Sequence, residues 1–146
     1  MRTGARRTQI IRILLWIALA LFVLSLFSPS VSGGRFFRED FVCKAHQWTR
    51  GWELLLIGPL GVLDGQFGWI ANPLMLFAAL GRLRRAANLS FALAAVALIV
   101  VTAFSFTSVW MDGGGNATVC GFGPGYYLWL ACSVLVLIAT LLKPAK

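Results

Sequence analysis

The chain has 146 residues, of which 59% are apolar and 12% are charged, whereas soluble domains average about 45–50% and about 25%. A chain of this length cannot bury so much apolar surface in a core, which excludes an ordinary water-soluble domain and indicates that lipid surrounds much of it. The net charge of +8 would suit any anionic surface, but the positions of the basic residues favour the membrane surface over nucleic acid.

Four apolar segments are each about 20 residues long, the length that a helix needs to cross about 30 Å of hydrocarbon. Backbone polar groups must be satisfied inside lipid, so each segment is predicted to be helical. The predicted spans are residues 10–27, 61–80, 89–110 and 122–142. The predicted fold is therefore all-α, a single-domain, integral membrane four-helix bundle.

The first span follows a basic stretch, so a cleaved signal peptide is an alternative interpretation. Its apolar run, residues 10–27, is longer than the roughly 7–15 residues that are usual for such peptides, and no A-x-A-like cleavage site follows cleanly. We therefore interpret the segment as a retained span. Cleavage would leave three spans and an N-terminus outside the cell.

Lys and Arg in the short connections predict the orientation. One side carries nine of them: Arg2, Arg6, Arg7, Arg12, Arg82, Arg84, Arg85, Lys143 and Lys146. The other side carries the remaining four basic residues and all five acidic residues. Both termini are therefore predicted to be cytoplasmic, with the chain in the plasma membrane, which is the inner membrane of a bacterium.

The two outer connections, residues 28–51 and 111–121, are predicted to form a small cap made of loops. Each contains one cysteine, and we predict a disulfide bond between Cys43 and Cys120 in an oxidising compartment. In the chain-entropy model, closing so long a loop stabilises a fold by about 4–5 kcal/mol. Cys132 lies within the fourth span and is interpreted as a packing residue.

The second apolar segment is too long for one straight span. Residues 52–80 would extend about 43 Å as a helix, about 13 Å more than the hydrocarbon thickness. We predict a long second helix that is broken at Pro59 and kinked at Pro73, with an outer piece over residues 52–57. Whether residues 52–60 continue the span or lie at the interface is left open.

Four glycines, Gly58, Gly61, Gly65 and Gly68, recur at spacings of three, four and three in this segment. On one continuous helix they would form a single stripe. Small residues let helix backbones approach closely in lipid, where apolar burial alone gives no driving force. The stripe is therefore predicted to be a helix-packing face, against another span or against a partner.

Three polar residues of the same segment, Asp64, Gln66 and Asn72, form the candidate polar site. Asp64 lies 18 positions before Arg82, or about 27 Å along a helix, which places it near the outer boundary, where a wetted carboxylate needs no function. Deeper in the membrane, an ionisable side chain would indicate a functional site. Both interpretations are kept.

No arrangement of catalytic groups is recognisable in the sequence, and we predict neither a catalytic residue, a metal site nor a cofactor. The predicted partners are membrane lipid and another membrane protein or a second copy, not nucleic acid. The leading hypothesis is a non-enzymatic helper, accessory or assembly component of the membrane. The alternatives are an oligomeric transporter or channel that uses Asp64, Gln66 and Asn72, and a thiol-redox protein.

Overall fold

The computed structural model describes residues 2–37, 40–61, 67–84, 86–103, 109–110 and 116–142, with side chains described at 6–33, 48–60, 67–84, 86–103 and 119–142. Within these residues there are five α-helices and four β-strands. In chain order they are α1 Arg2–Phe27, β1 Pro29–Phe37, β2 Asp40–Arg50, α2 Gly51–Gly61, α3 Ala71–Leu83, α4 Ala87–Ala103, β3 Val109–Trp110, β4 Asn116–Phe122 and α5 Pro124–Leu141. A short 3₁₀ helix, Phe67–Ile70, directly precedes α3.

The prediction of a mostly helical chain is confirmed, and α5 is the helix around which the others pack. It contacts α1, α4 and α3. The start of α5 meets the end of α1, because the Gly123 amide donates to the Ser30 carbonyl over 2.8 Å. The ends of α3 and α5 are joined by a hydrogen bond from Arg82 to Ala139. Successive long helices therefore run in alternating directions.

Small side chains form the seam between α3 and α4. On each helix the buried residues are spaced four, three and four apart, which keeps them on one face. They are Ala71, Met75, Ala78 and Arg82 on α3, and Ser90, Ala94, Ala97 and Val101 on α4. Alanine and serine bring the two backbones close, which increases the van der Waals contact between the helices.

The helices α1 and α5 are the other extensively packed helix pair. The buried residues of α1 are seven apart, Ile11, Ala18 and Ser25. On α5 the same interval relates Gly125, Cys132 and Ala139. A seven-residue repeat of buried positions is typical of helices that cross at a small angle, as in antiparallel coiled coils.

The residues predicted to be cap loops form an antiparallel sheet instead, so the all-α prediction is wrong there. The strand order is β2-β1-β4-β3. The start of the first predicted loop is rich in serine and glycine, yet its backbone pairs on both sides: Val31 faces Thr49 of β2 and Phe122 of β4. Burial of Val31 beneath the ends of the helices then favours strand over loop.

The second apolar segment is broken, but not at the predicted places. The helix α2 continues through Pro59 to Gly61, and residues 62–66 lie outside the described part. Pro73 stands in the first turn of α3, where its missing amide hydrogen costs little. The amide of Pro73 would otherwise donate to the Trp69 carbonyl, and Trp69 lies in the 3₁₀ turn, so the proline marks the junction of the two helix types.

The bounds of the other spans differ in detail. The first helix begins at Arg2 rather than residue 10, and the fourth begins at Pro124 because Phe122 belongs to β4. The third ends, as described, at Ala103, and residues 109–110 form a strand. Two helices, Arg6–Phe27 and Pro124–Leu141, are long and apolar enough to cross a membrane, and the described stretches Gly51–Leu60, Phe67–Leu83 and Ala87–Ala103 are shorter apolar helices.

The closest approach in the seam between α3 and α4 gives a first prediction. A β-carbon at Gly81 would lie 2.7 Å from Ser90 Oγ, and the next atoms are 3.9 Å away. We expect Gly81→Ala to lower stability in the native background and to be tolerated with Ser90→Ala, since only the hydroxyl is in the way. A double-mutant cycle on unfolding in micelles should give a coupling of about 1–2 kcal/mol. Additive effects would show that the seam is looser than described.

Candidate functional site

The candidate polar site is described only at Asn72, since Asp64 and Gln66 lie outside the described residues. Asn72 is half-buried near the start of α3. Its Oδ1 accepts a hydrogen bond of 2.9 Å from the indole Nε1 of Trp129 on α5. The amide of Asn72 therefore joins α3 to α5, and the transport role stays a prediction that depends on Asp64 and Gln66.

The glycine stripe is not continuous, because the chain is not one helix from Gly58 to Gly68. Gly58 and Gly61 lie in α2, Gly68 is buried in the 3₁₀ turn, and Gly65 lies outside the described residues. At Gly58 a β-carbon would lie 2.6 Å from Trp69 Cγ, so this glycine contacts the next helical segment. The helix-packing role of the four glycines as a set stays a prediction.

Trp69 and Pro59 hold α2 against the start of α3. In a helix the carbonyl of Leu55 would accept from the amide of residue 59, but proline has none. The indole Nε1 of Trp69 donates to this carbonyl instead, over 3.0 Å. The absence of a side chain at Gly58 lets the indole ring reach that position. A gap in the hydrogen bonding of one helix is thus filled by a side chain of the next.

Arg82 has the same role at the opposite end of the bundle. It is only 4% exposed, its Nε donates to the Ala139 carbonyl over 2.9 Å, and its Nη2 donates to the Leu142 carbonyl. The last four carbonyls of a helix have no partner inside it and carry partial negative charge. The guanidinium therefore caps α5 and fixes the end of α3 to it.

Tyr126 makes the corresponding link between α5 and α4. Its buried hydroxyl donates to the carbonyl of Val101, in the last turn of α4, over 3.2 Å. The ring is 4.3 Å from that of Phe122, centroid to centroid, and 6.4 Å from that of Trp129. Packed rings with one polar atom bonded are typical of tyrosine near a membrane boundary.

The buried polar side chains of the described residues all have acceptors. Four of them bond a carbonyl three or four residues earlier in the chain: Ser25 to Phe22, Ser90 to Ala86, Ser133 to Trp129 and Thr140 to Leu137. Ser133 also donates to the sulfur of Met75 across the interface with α3, over 3.0 Å. Ser30, Ser32 and Arg82 bond other carbonyls. These hydroxyls are satisfied without water.

The three cysteines fall in different environments. Cys132 is buried in α5 and is a free thiol, as expected of a packing residue. Cys120 lies half-buried in β4 and is not free. The side chain of Cys43 lies outside the described side chains, so the bond between Cys43 and Cys120 stays a prediction. Among the side chains that the structure describes, no three histidine, cysteine or acidic residues come together as a metal site would require.

Sequence reasoning missed the links made by Arg82, Trp69 and Tyr126. It interpreted Arg82 only as a marker of the inner surface, although an arginine in the last turn of one helix can reach the free carbonyls at the end of a neighbouring parallel helix. For Trp69 the signal was the carbonyl that Pro59 leaves without a donor. None of the three links was identifiable before the pairing of the helices was known.

The chain was also compared with known proteins. No protein-family model, curated protein or solved structure matches it.

The cap on α5 gives a second prediction. Arg82→Met keeps the length and apolar stem of the side chain but leaves the carbonyls of Ala139 and Leu142 without their donor. We expect a loss of about 2–4 kcal/mol, measured by unfolding in micelles. Arg84→Met is the matched control, because Arg84 is exposed just after the end of α3. It should change stability by less than about 0.5 kcal/mol. Equal losses in the two variants would contradict the capping role.

The link between Trp69 and Leu55 gives a third prediction. Trp69→Phe retains an aromatic ring and removes the donor, which should cost about 1–2 kcal/mol because the Leu55 carbonyl loses its partner. Pro59→Ala restores an amide at the fourth position after Leu55, so the same change at Trp69 should cost less in that background. Thermal unfolding of the four proteins of the cycle measures the difference. A cost of Trp69→Phe that is independent of residue 59 would refute the explanation.

Proposed function

We propose that this chain is a four-span protein of the plasma membrane, with both termini in the cytoplasm, and that it acts as a non-catalytic accessory or assembly component that packs against partner membrane proteins. The observation that carries the proposal is that the buried polar side chains are used inside the protein, whereas many large apolar side chains are exposed. The seven buried polar side chains of the described residues are all used in hydrogen bonds inside the protein: those of Arg82, Ser133 and Ser32 join separate elements, and the other four bond carbonyls nearby in the chain. The outward faces are apolar.

Exposed apolar side chains support a membrane location. They are large, and they lie on all four long helices. They include Trp16, Leu24 and Phe27 on α1, Leu76, Phe77 and Leu83 on α3, Leu89 and Ile99 on α4, and Tyr127 and Leu141 on α5. Exposed apolar surface of this extent is not compatible with a monomer in water.

The two longest apolar helices are poorly covered, which favours spans over the alternatives. Only 17% of the 18-residue apolar stretch in Arg6–Phe27 and 39% of that in Pro124–Leu141 is buried, whereas the core helix of a soluble protein is mostly buried. A signal sequence would be removed, yet α1 contributes Ala18 to the core beside Cys132. Removal of α1 would expose that face of α5. The described lengths of α4 and of the 3₁₀ helix plus α3, 17 residues each, are at the lower limit for a span.

The proposed disulfide bond belongs to the same picture. Cys43 pairs with Gly34 in the ladder of β1 and β2, and Cys120 follows Val119, which pairs with Gly33. The cysteines thus approach the same point of β1 from its two sides. Strands two places apart in a flat sheet are separated by about 10 Å, more than the roughly 7 Å that a disulfide spans. The bond therefore requires a curled sheet, which the register shifts of both ladders at this point favour.

A test of the accessory role uses a photo-crosslinking amino acid in cells. It is placed singly at Trp16, Leu76, Ile99 and Tyr127, one outward position on each long helix, and at Ala97, which is fully buried, as the matched control. We expect one discrete protein adduct from at least one outward face and none from residue 97. The absence of a protein adduct from all four faces would refute a stable partner.

Orientation is measured separately, because it does not depend on the partner. A fluorescent protein fused after residue 146 should be bright, because it folds only in the cytoplasm. Alkaline phosphatase fused there should be inactive, because it folds only outside the cytoplasm. The same two reporters fused after residue 37, in the sheet, should give the reverse result. Matching signals at the two positions would exclude the alternating topology.

A further inference from the structure

The helix α2 lies between α1 and the start of α3. Its first residue rests on the last turn of α1: a β-carbon at Gly51 would be 2.9 Å from Leu26 Cα, and the Gly51 amide donates to the Ser28 carbonyl. Seven residues later, Gly58 lies against the ring of Trp69. Seven residues of helix extend about 10.5 Å, which matches the 8–10 Å between the axes of neighbouring packed helices.

Both ends of this stretch lie at nearly the same depth. The end of α1 is level with the first turn of α5, because a β-carbon at Gly125 would lie 2.9 Å from the Ser28 carbonyl oxygen. Asn72 bonds Trp129 in the second turn of α5. Trp69 precedes Asn72 by three residues and lies about 6 Å above it, which is level with the first turn of α5. A helix that descended into the bilayer would instead place Gly58 about 10 Å below Gly51.

The side of α2 that faces away from the bundle is an apolar stripe. Trp52 is 41% exposed, Leu56 70% and Leu60 55%, and Pro59 is exposed beside them. These positions, at spacings of four, three and one, share one helix face. Glu53, the one charged residue of α2, borders this face in the first turn and accepts from the amide of Arg50 over 2.9 Å, a bond typical of the start of a helix.

We infer that α2 lies flat at the boundary of the leaflet next to the sheet, and that the stripe of Trp52, Leu56, Pro59 and Leu60 binds lipid where headgroups meet acyl chains. The occupant is lipid rather than protein because Phe27, in the turn of α1 on which Gly51 rests, is also apolar and 70% exposed, so the exposed apolar surface is not confined to α2. It also lies at the depth where tryptophan collects in membrane proteins. The inference rests on the proposed membrane location and adds that α2 anchors the sheet to the bilayer surface.

The experiment places a single nitroxide label at position 56 in a Cys132→Ser background, with no reductant, and reconstitutes the purified protein in phosphatidylcholine vesicles. Collisions with oxygen, which collects in lipid, are compared with collisions with nickel ethylenediaminediacetate, which stays in water. Position 99 within α4 is the lipid control and position 88, exposed in the first turn of α4, is the water control. We expect a several-fold excess of oxygen collisions at 56, between the excesses at 99 and 88.

Each outcome has one meaning. A label at 56 that behaves like 88, while 99 is in lipid, overturns the inference and leaves the membrane location intact. A label at 56 that neither reagent reaches overturns it in favour of contact with a second copy. If 99 also behaves like 88, the proposed membrane location itself is wrong. Leu56→Lys together with Leu60→Lys should give a water-like label at position 52, whereas Leu54→Lys, at a half-buried position off the stripe, should not.

Discussion

The structure depends on one constraint: a carbonyl at the end of a helix, or opposite a proline, needs a donor when it is buried away from water. Three such donors come from neighbouring elements. Trp69 reaches the Leu55 carbonyl, Tyr126 reaches Val101 and Arg82 reaches Ala139. Each bond gives an otherwise unpaired carbonyl a donor, and it also fixes the relative position of two helices.

Close packing of small side chains also determines how the helices are arranged, because close contact between small residues determines which helix faces meet. Ala78, Ala94 and Ala97 lie fully or almost fully buried between helices, whereas Trp16 and Ile99 are directed outward. The buried positions also include serine, threonine and one arginine, each hydrogen-bonded, whereas the leucines and phenylalanines that pack against the core are only partly buried.

Apolar runs alone predicted the helices at residues 10–27 and 122–142, because length and hydropathy are local properties. They did not predict the sheet, since β1 lacks alternating apolar residues and its second partner, β4, lies far along the chain. Nor did they predict that α2 passes through Pro59, because the donor that compensates for it belongs to Trp69. Of the candidate site, Asn72 was placed on a helix correctly, but its role depended on Trp129, a pairing that no local pattern indicates.

The pairing of β1 with β4 has a consequence for biosynthesis. Ser32 bonds Gly121, 89 positions later, and α1 packs mainly on α5, the final helix. At about 5–20 residues per second, the first helix and its strand wait about 4–18 s on the ribosome before their counterparts are made. During that interval β1 lacks one of its two partner strands and α1 lacks the helix it packs on. Completion of the fold thereby reports that translation has reached α5.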